Sequence, residues 1–120
     1  MNIETLRKYC LSKKAATESF PFDEHTLVFK VMGKIFAMVP LEKWEAGAAT
    51  VTLKCDPEYT GKLREQYESI YAGPYVSNTH WNTIDVYKGE FSMPFVLELI
   101  DHSYDRVVAG LPKKLKRQLE

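Results

Sequence analysis

The sequence has few cysteines and no long hydrophobic run, and each shortage excludes a class of protein. Its cysteines, Cys10 and Cys55, are far apart and each lies within an apolar pattern, which predicts reduced, buried thiols rather than a disulfide. No apolar run reaches the roughly 18 residues needed to cross a bilayer, and the first residues lack a signal-peptide pattern. We therefore expect a cytoplasmic protein without a membrane association.

An excess of charge is lacking as well, because 16 Lys and Arg balance 16 Asp and Glu. A neutral chain has no overall field that would attract nucleic acid or an anionic membrane, so any basic surface must be local. The composition, 45% hydrophobic and 27% charged, is that of an ordinary globular protein. For 120 residues, we expect one domain spanning residues 1–120, and a monomer.

Catalytic motifs are missing too. The sequence has no glycine-rich phosphate loop, no nucleophile elbow and no zinc-type spacing of His or Cys. A polar stripe near the C-terminus has helical spacing, and its carboxylate and imidazole groups could bind a divalent metal. No second ligand cluster accompanies the stripe, so we expect a solvated helix face, no enzyme activity, no metal and no cofactor. The stripe consists of Glu98, Asp101, His102 and Asp105.

Three helices are predicted from caps and apolar spacing. Asn2 can cap a helix that runs to about Lys14. Asp56-Pro57-Glu58 combines a cap, a proline at the first helical position and an early acid, which is typical of a helix start. Ser92 can cap a long helix over about 93–109. A basic helical turn is expected near the C-terminus.

Residues 26–39 predict a β-hairpin. Its turn is expected at Met32-Gly33, because glycine accepts the positive φ that a tight turn requires. Residues directly opposite each other share a face of the sheet. The hairpin therefore pairs Phe29 with Phe36 and Leu27 with Met38 on one aliphatic and aromatic face.

Further strands are predicted at residues 50–55, which alternate between apolar and polar side chains, and at 80–87, which are rich in β-branched and aromatic residues. Residues 70–75 are interrupted by Gly73-Pro74 and predict a turn or an irregular edge. The order of the elements favours a two-layer α+β fold, an antiparallel sheet with helices packed on one face. The other face would be free for binding.

Several segments, in this order along nearly the whole chain, resemble the MmcQ/YjbR family. They are Phe20-Pro21-Phe22, Leu27–Val31, Gly33–Ala37, Leu53–Pro57, His80-Trp81-Asn82-Thr83, Asp101–Asp105 and Leu111–Lys114. The resemblance implies a CyaY-like (frataxin-like) α+β fold and a DNA-binding role through a surface described as a double wing.

Two departures limit what the resemblance implies. Frataxin is linked to iron and relies on an acidic first helix, whereas the predicted first helix carries four cations and a single acid, Glu4, so an iron-handling role is not supported. The family pattern has a basic residue directly before His-Trp-Asn, and this sequence has Thr79 there. A phosphate contact at that position is therefore in doubt.

His80, Trp81 and Asn82 are the most specific candidates for a nucleic-acid site. An indole can stack on a base, while imidazole and carboxamide groups can hydrogen-bond to phosphates or base edges. On a strand, His80 and Asn82 share one face with Ile84, and Trp81 lies on the other. Trp81 is either an exposed binding aromatic or a core anchor, and periodicity alone does not choose.

Local basic residues complete the candidate set. They can neutralise phosphates, which would make binding weak and salt-dependent. The alternative interpretation is a solvated helix face at the C-terminus and edge protection on the strands. The candidates are Lys30, Lys34 and Lys54 on predicted strands, and Lys113 and Lys114 near the C-terminus.

Two hypotheses of different classes result. The first is a non-enzymatic DNA-binding protein that uses the exposed sheet, its loops and the basic C-terminus. The second is a module that binds a protein or small ligand in a pocket near Trp81 and Tyr75, which the neutral net charge favours. A contiguous basic stripe would favour the first, and an apolar cleft rimmed by polar groups the second.

Overall fold

The computed structural model describes residues 1–74 and 76–120 and shows an α+β fold. The strands are β1 (Ala16–Ser19), β2 (Thr26–Val31), β3 (Lys34–Pro40), β4 (Thr50–Lys54), β5 (Ile70–Tyr71) and β6 (Trp81–Asp85). The helices are α1 (Ile3–Ser12), α2 (Leu41–Glu45), α3 (Pro57–Gln66), α4 (Met93–Ala109) and α5 (Lys113–Leu119), with a 3-10 turn at Val86–Lys88. These bounds confirm the predicted class.

The six strands form one antiparallel sheet in the order β1-β2-β3-β4-β6-β5. Helices α1, α3 and α4 cover one face, and their apolar stripes bury the core between the two layers. Both cysteines are free and buried in this core, as expected, and burial raises the pKa of the Cys10 thiol to about 12. The opposite face of the sheet, called here the open face, has no helix of its own among the described residues.

The predicted helix starts are confirmed by their caps. The side chains of Asn2, Asp56 and Ser92 each accept a hydrogen bond from the amide three residues later, at 2.8, 3.2 and 3.3 Å. Such caps satisfy amides that have no partner within the helix. The helices therefore begin where the sequence predicted. None of the helices in the described ranges is long and apolar enough to span a membrane.

The hairpin turn lies at Met32-Gly33, as predicted, with positive φ values of 50° and 80°. The predicted pairing beyond the turn is wrong, because the register shifts by one residue at a β-bulge. Phe29 pairs with Ala37 instead of Phe36. Both bulge residues, Phe36 and Ala37, are buried in the core, so the bulge adds an aromatic side chain to it.

The bulge also changes which face the end of β3 presents. Leu27 pairs with Val39 on the core side, and Met38 pairs with Val28 on the open face. Met38 was predicted to share the face of Leu27, and that prediction fails because the side-chain period of a strand is two, so a shift of one residue reverses the faces.

Four short elements were not predicted as such, among them the 3-10 turn, which replaces the end of the strand predicted over 80–87. Strand β1 has four residues and α2 has five, so neither offers enough of a period to recognise. The segment predicted as a turn or irregular edge begins with the edge strand β5, which pairs with β6. Tyr75, at the end of that segment, lies outside the described residues.

Candidate functional site

The orientation of Trp81 decides between the two interpretations of its segment. Trp81 pairs with Lys54 and Thr83 pairs with Thr52, and these residues lie on the open face, whereas Ile84 belongs to the core. Trp81 is half-buried. It is therefore not a core anchor but an aromatic side chain at the free surface of the sheet.

Trp81 lines a groove of about 750 Å³ on this surface, called here the open-face groove. Apolar side chains make up most of its lining, with threonines on the strands and one charge of each sign. The apolar residues are Phe22, Ile35, Met38, Pro40, Pro74, Val76 and Trp81; the polar ones are Asp23, Thr26, Lys43, Thr50, Thr52 and Thr83. The bulge contributes directly, because it brings Met38 to this face.

One wall of the groove forms where the backbone at Gly73 passes close to the side chain of Thr83 on β6. A Cβ atom on Gly73 would lie 2.3 Å from Oγ1 of Thr83, so only glycine fits there. The Thr83 hydroxyl also lies 2.9 Å from the Thr52 hydroxyl. Residues 72–74 thereby pass close over β6, and the wall continues through Val76. The result is a cleft with two hydroxyl groups at its floor.

Lysines stand around the open-face groove. Lys54 lies opposite Trp81, Lys30 lies opposite the lining residue Ile35, and Lys43 lines the groove itself. No residue within 1–74 or 76–120 forms a salt bridge with any of these lysines. The ammonium groups are therefore available to an anionic ligand.

The carboxylate that lines the groove, that of Asp23, is hydrogen-bonded to backbone amides of its own turn. Asp23 accepts hydrogen bonds from the backbone amides of His25 at 2.8 Å and Thr26 at 2.7 Å. These bonds lower the pKa of Asp23 from its ordinary value, mainly through the amide of His25. Asp23 thus stays ionised, so three lysines stand around a groove whose lining carries one carboxylate, on a chain of zero net charge.

Asn82 does not contribute to this surface. Its side chain lies on the core side, only 2% exposed, and its Oδ1 accepts a hydrogen bond from Nε of Arg64 at 2.8 Å. Arg64 also donates to the carbonyl oxygens of Asn78 at 2.6 Å and Trp81 at 2.9 Å. Arg64, which no sequence pattern singled out, thereby holds the start of β6 from α3. Asn82 and Arg64 are therefore positioning residues for Trp81.

The remaining candidates are dispersed. His80 is exposed in the turn before β6, where its carbonyl oxygen accepts from the amide of Cys55 at 2.8 Å. Lys34 is exposed beside the hairpin turn. Lys113 and Lys114 are exposed on α5, a helix that packs through Leu119 on the core, on the helical side of the sheet. The structure therefore gathers Lys30, Lys54 and Trp81 but not the whole predicted set.

In the polar stripe on α4, Glu98 and Asp105 are exposed, whereas Asp101 and His102 bond to neighbouring elements. The carboxylate of Asp101 accepts a hydrogen bond from the hydroxyl of Tyr9 at 2.5 Å and pairs with Lys13. Nε2 of His102 accepts a hydrogen bond from the amide of Asp56 at 3.0 Å. Within the described part of the chain, no group of three or more His, Cys, Asp or Glu side chains could hold a metal ion.

Comparison with known proteins identifies relatives that cover the whole chain. Residues 11–106 match the sequence model of the YjbR family. The chain is 30% identical to the uncharacterized protein YjbR of Escherichia coli strain K12, over 99% of this chain and 98% of that protein. It is 32% identical to the uncharacterized protein YbdF of Escherichia coli O157:H7, over 97% of this chain and 92% of that protein.

Solved structures show the same fold. The crystal structure of the Deinococcus radiodurans protein DR2400, domain DUF419, matches with a TM-score of 0.86 at 30% identity, covering 98% of this chain and 87% of that chain. A Pseudomonas syringae protein matches with a TM-score of 0.69 at 24% identity, covering 86% of this chain and 96% of that chain. The two-layer arrangement is therefore shared with experimentally determined structures.

Proposed function

The chain belongs to the YjbR family, and from this premise we propose that it is a non-enzymatic DNA-binding protein that holds a single strand on the open face of its sheet. The observation that carries the proposal is the position of Trp81. Its indole lies on the free surface, directly opposite Lys54, so a stacking surface and a cation stand side by side. This pair is the basic unit of single-strand binding.

Stacking on Trp81 would supply the contact to the base. Each base stacked on an aromatic side chain contributes about 1–3 kcal/mol to binding, with little dependence on sequence. The open-face groove of about 750 Å³ lies within the range of pockets that hold small organic groups. The hydroxyl of the half-buried Thr52 can hydrogen-bond to a base edge, while that of Thr83 is buried against it.

The lysines would supply the contacts to the backbone. Lys30, Lys43 and Lys54 are free of salt bridges to described residues, so binding phosphates costs no internal ion pair. For a single strand, three such contacts predict that log K falls with log salt at a slope of about −2. The affinity would therefore be weak at physiological salt.

The groove favours a single strand over a duplex for a geometric reason. Trp81 is half-buried and lines the groove together with Pro74 and Val76. In a duplex the faces of the bases are stacked on their neighbours, whereas an unpaired base can turn outward and enter a cleft. We therefore expect a single strand to bind more tightly than a duplex of the same length.

The first prediction concerns the residues that carry this proposal. Titration of an oligothymidine of about ten nucleotides, at about 50 and 200 mM salt, measures affinity and salt slope. Trp81→Ala should weaken binding about tenfold through the lost stacking contact. The double variant Lys30→Gln/Lys54→Gln should reduce the slope from about −2 to about −0.7, because two phosphate contacts are lost.

A matched control separates the open face from charge in general. Lys113→Gln/Lys114→Gln removes the same charge from α5, on the helical side, and should leave the salt slope near that of the unchanged protein. If neutralising the α5 pair changed the salt slope more than neutralising Lys30 and Lys54, the DNA would bind outside the open face. No binding of the unchanged protein at low salt would contradict DNA binding altogether.

The lining of the groove supports a second candidate function, a module that binds an apolar ligand or peptide. Most of the lining is apolar, with a few polar groups that include the threonine hydroxyls at the floor, which is typical of small-ligand pockets. A neutral fluorescent probe of apolar pockets would test this candidate. Binding of the probe that depends on Trp81, in a protein that ignores DNA at low salt, would favour the second function.

A further inference from the structure

A second groove lies on the other side of the molecule, between α1, α2 and the 3-10 turn. Its volume is about 850 Å³, within the range of pockets that bury a small molecule. We call it the helix-side groove. Its apolar and aromatic lining includes Ile3, Phe20, Leu27, Leu41, Trp44 and Tyr87.

Acidic side chains outnumber basic ones in the lining of the helix-side groove, whereas the open-face groove is lined by one of each, with Lys30 and Lys54 nearby. Its lining carries Glu4, Glu18 and Glu45, against the single cationic side chain of Arg7. Arg7 is already neutralised, because its guanidinium group donates to the carboxylate of Glu18 at 2.7 and 2.5 Å. Met1 also lines the groove, and its N-terminal ammonium group is a second cation there, so comparing a charged with an uncharged probe tests the charge of the groove better than a single affinity does.

Two of the carboxylates remain available for a ligand. Glu4 is 62% exposed at its side chain and only 3.6 Å from Arg7, an arginine that Glu18 already binds more closely. Glu45 is exposed and forms no salt bridge with the residues that the structure describes. An anionic ligand would be repelled here, and a cationic ligand would be attracted.

The aromatic side chains add a second attraction for a cation. Phe20 and Tyr87 are each 48% exposed, which is unusual for large apolar rings. Trp44 is held in place because its indole N–H donates to the carbonyl oxygen of Thr50 at 2.9 Å. The Tyr87 ring already attracts one ammonium group, that of Lys88, at 6.0 Å from its centroid. Aromatic faces beside carboxylates recognise alkylammonium and guanidinium groups.

We propose that the helix-side groove binds a small organic cation, an ammonium or guanidinium group carried on an apolar body. The apolar floor takes the body of the ligand. Glu4, Glu45 and the exposed rings take the charge. This site lies on a different face from the proposed DNA site and does not depend on it.

An isosteric pair of probes tests the proposal. 2-Phenylethylamine is a cation at neutral pH, and 2-phenylethanol has the same apolar body without the charge. In the Trp81→Phe variant, Trp44 is the only remaining tryptophan, so its fluorescence reports on this groove alone. We expect the amine to bind about tenfold more tightly than the alcohol, from one cation–π contact and the carboxylates together.

Charge-neutral variants identify the residues responsible. Glu4→Gln/Glu45→Gln should bring the affinities for the two probes to within about twofold while leaving that for the alcohol unchanged. Glu24→Gln/Glu65→Gln removes two exposed carboxylates outside the groove and should preserve the preference for the amine. Equal affinity of the unchanged groove for both probes, or no saturable response to either, would overturn the proposal.

Discussion

His102 shows how a single residue couples stability to pH. Its Nε2 accepts the amide hydrogen of Asp56 at 3.0 Å, and a nitrogen that accepts cannot carry a proton. Burial, and then the positive charge of Arg106, lowers the pKa of His102 from its ordinary value of 6.5, while Asp56 and Asp105 oppose the shift. The edge of the Tyr59 ring packs against the imidazole, with ring centroids 5.2 Å apart.

This shift predicts a pH dependence of definite sign. Because the folded pKa lies below the unfolded one, the unfolded chain binds more protons as pH falls below about 6.5. The contribution of His102 to stability is full above that pH and is lost on acidification towards the folded pKa. Measured by urea unfolding across this range, the free energy of unfolding should fall more steeply with decreasing pH for the unchanged protein than for His102→Gln. Parallel pH profiles of the two proteins would contradict the assignment.

Trp81 and Asn82 show what single residues reveal before a structure exists. Strand periodicity correctly predicts that they lie on opposite faces. Periodicity alone does not tell which of the two residues faces the core. In the structure Asn82 does, and it accepts a hydrogen bond from Arg64 of α3, which lies 18 positions earlier in the chain. A contact between elements leaves no periodic signal in the sequence.

At the scale of elements, Ser103 joins α4 to two strands. The β3–β4 ladder pairs Ala37 with Leu53 and does not continue to Phe36 and Lys54, the next residues in register. The fully buried Ser103 hydroxyl bridges that opening: it donates to the carbonyl oxygen of Phe36 at 2.5 Å and accepts from the amide of Lys54 at 2.8 Å. One side chain thus replaces a bond of the sheet, beside the candidate site.

Removing this bridge should destabilise the fold. Ser103→Ala leaves a buried carbonyl and a partly buried amide without this partner, so we expect a loss of about 2 kcal/mol in the free energy of unfolding. Ser12→Ala is the matched control, since its hydroxyl also donates to a backbone carbonyl, that of Tyr9 at 2.6 Å, but at an exposed position. Equal losses for the two variants in urea denaturation would show that the bridge has no special role.

The bulge in β3 marks the limit of prediction for elements. The four longer strands, the turn and the capped helices follow from local rules of φ, capping and periodicity. The extra residue at Phe36 does not follow from local rules, because its ring packs against Tyr104, a residue of α4. The two ring centroids are 5.4 Å apart. That single shift turns Met38 to the open face, where it lines the open-face groove.

At the scale of the whole molecule, the charges of a neutral chain are distributed unevenly between the open-face groove and the helix-side groove. Three lysines without a salt bridge to any described residue surround the open-face groove, and the exposed carboxylates of Glu4 and Glu45 stand at the helix-side groove. Composition predicted that any basic surface must be local, and the sheet provides it by placing Lys30 and Lys54 on one face. The long-range field is cancelled, so association should depend on contact and on salt.

The most direct test of the central claim maps where DNA touches the protein. In a titration of the isotope-labelled protein with a short oligothymidine at low salt, followed by amide and indole NMR signals, we predict the largest shifts at the Trp81 indole and at Thr52, Thr83 and Lys54. The signals of α5 should remain nearly unchanged. Shifts confined to α5 or to the helical layer, or no shifts at all, would contradict a binding site on the open face.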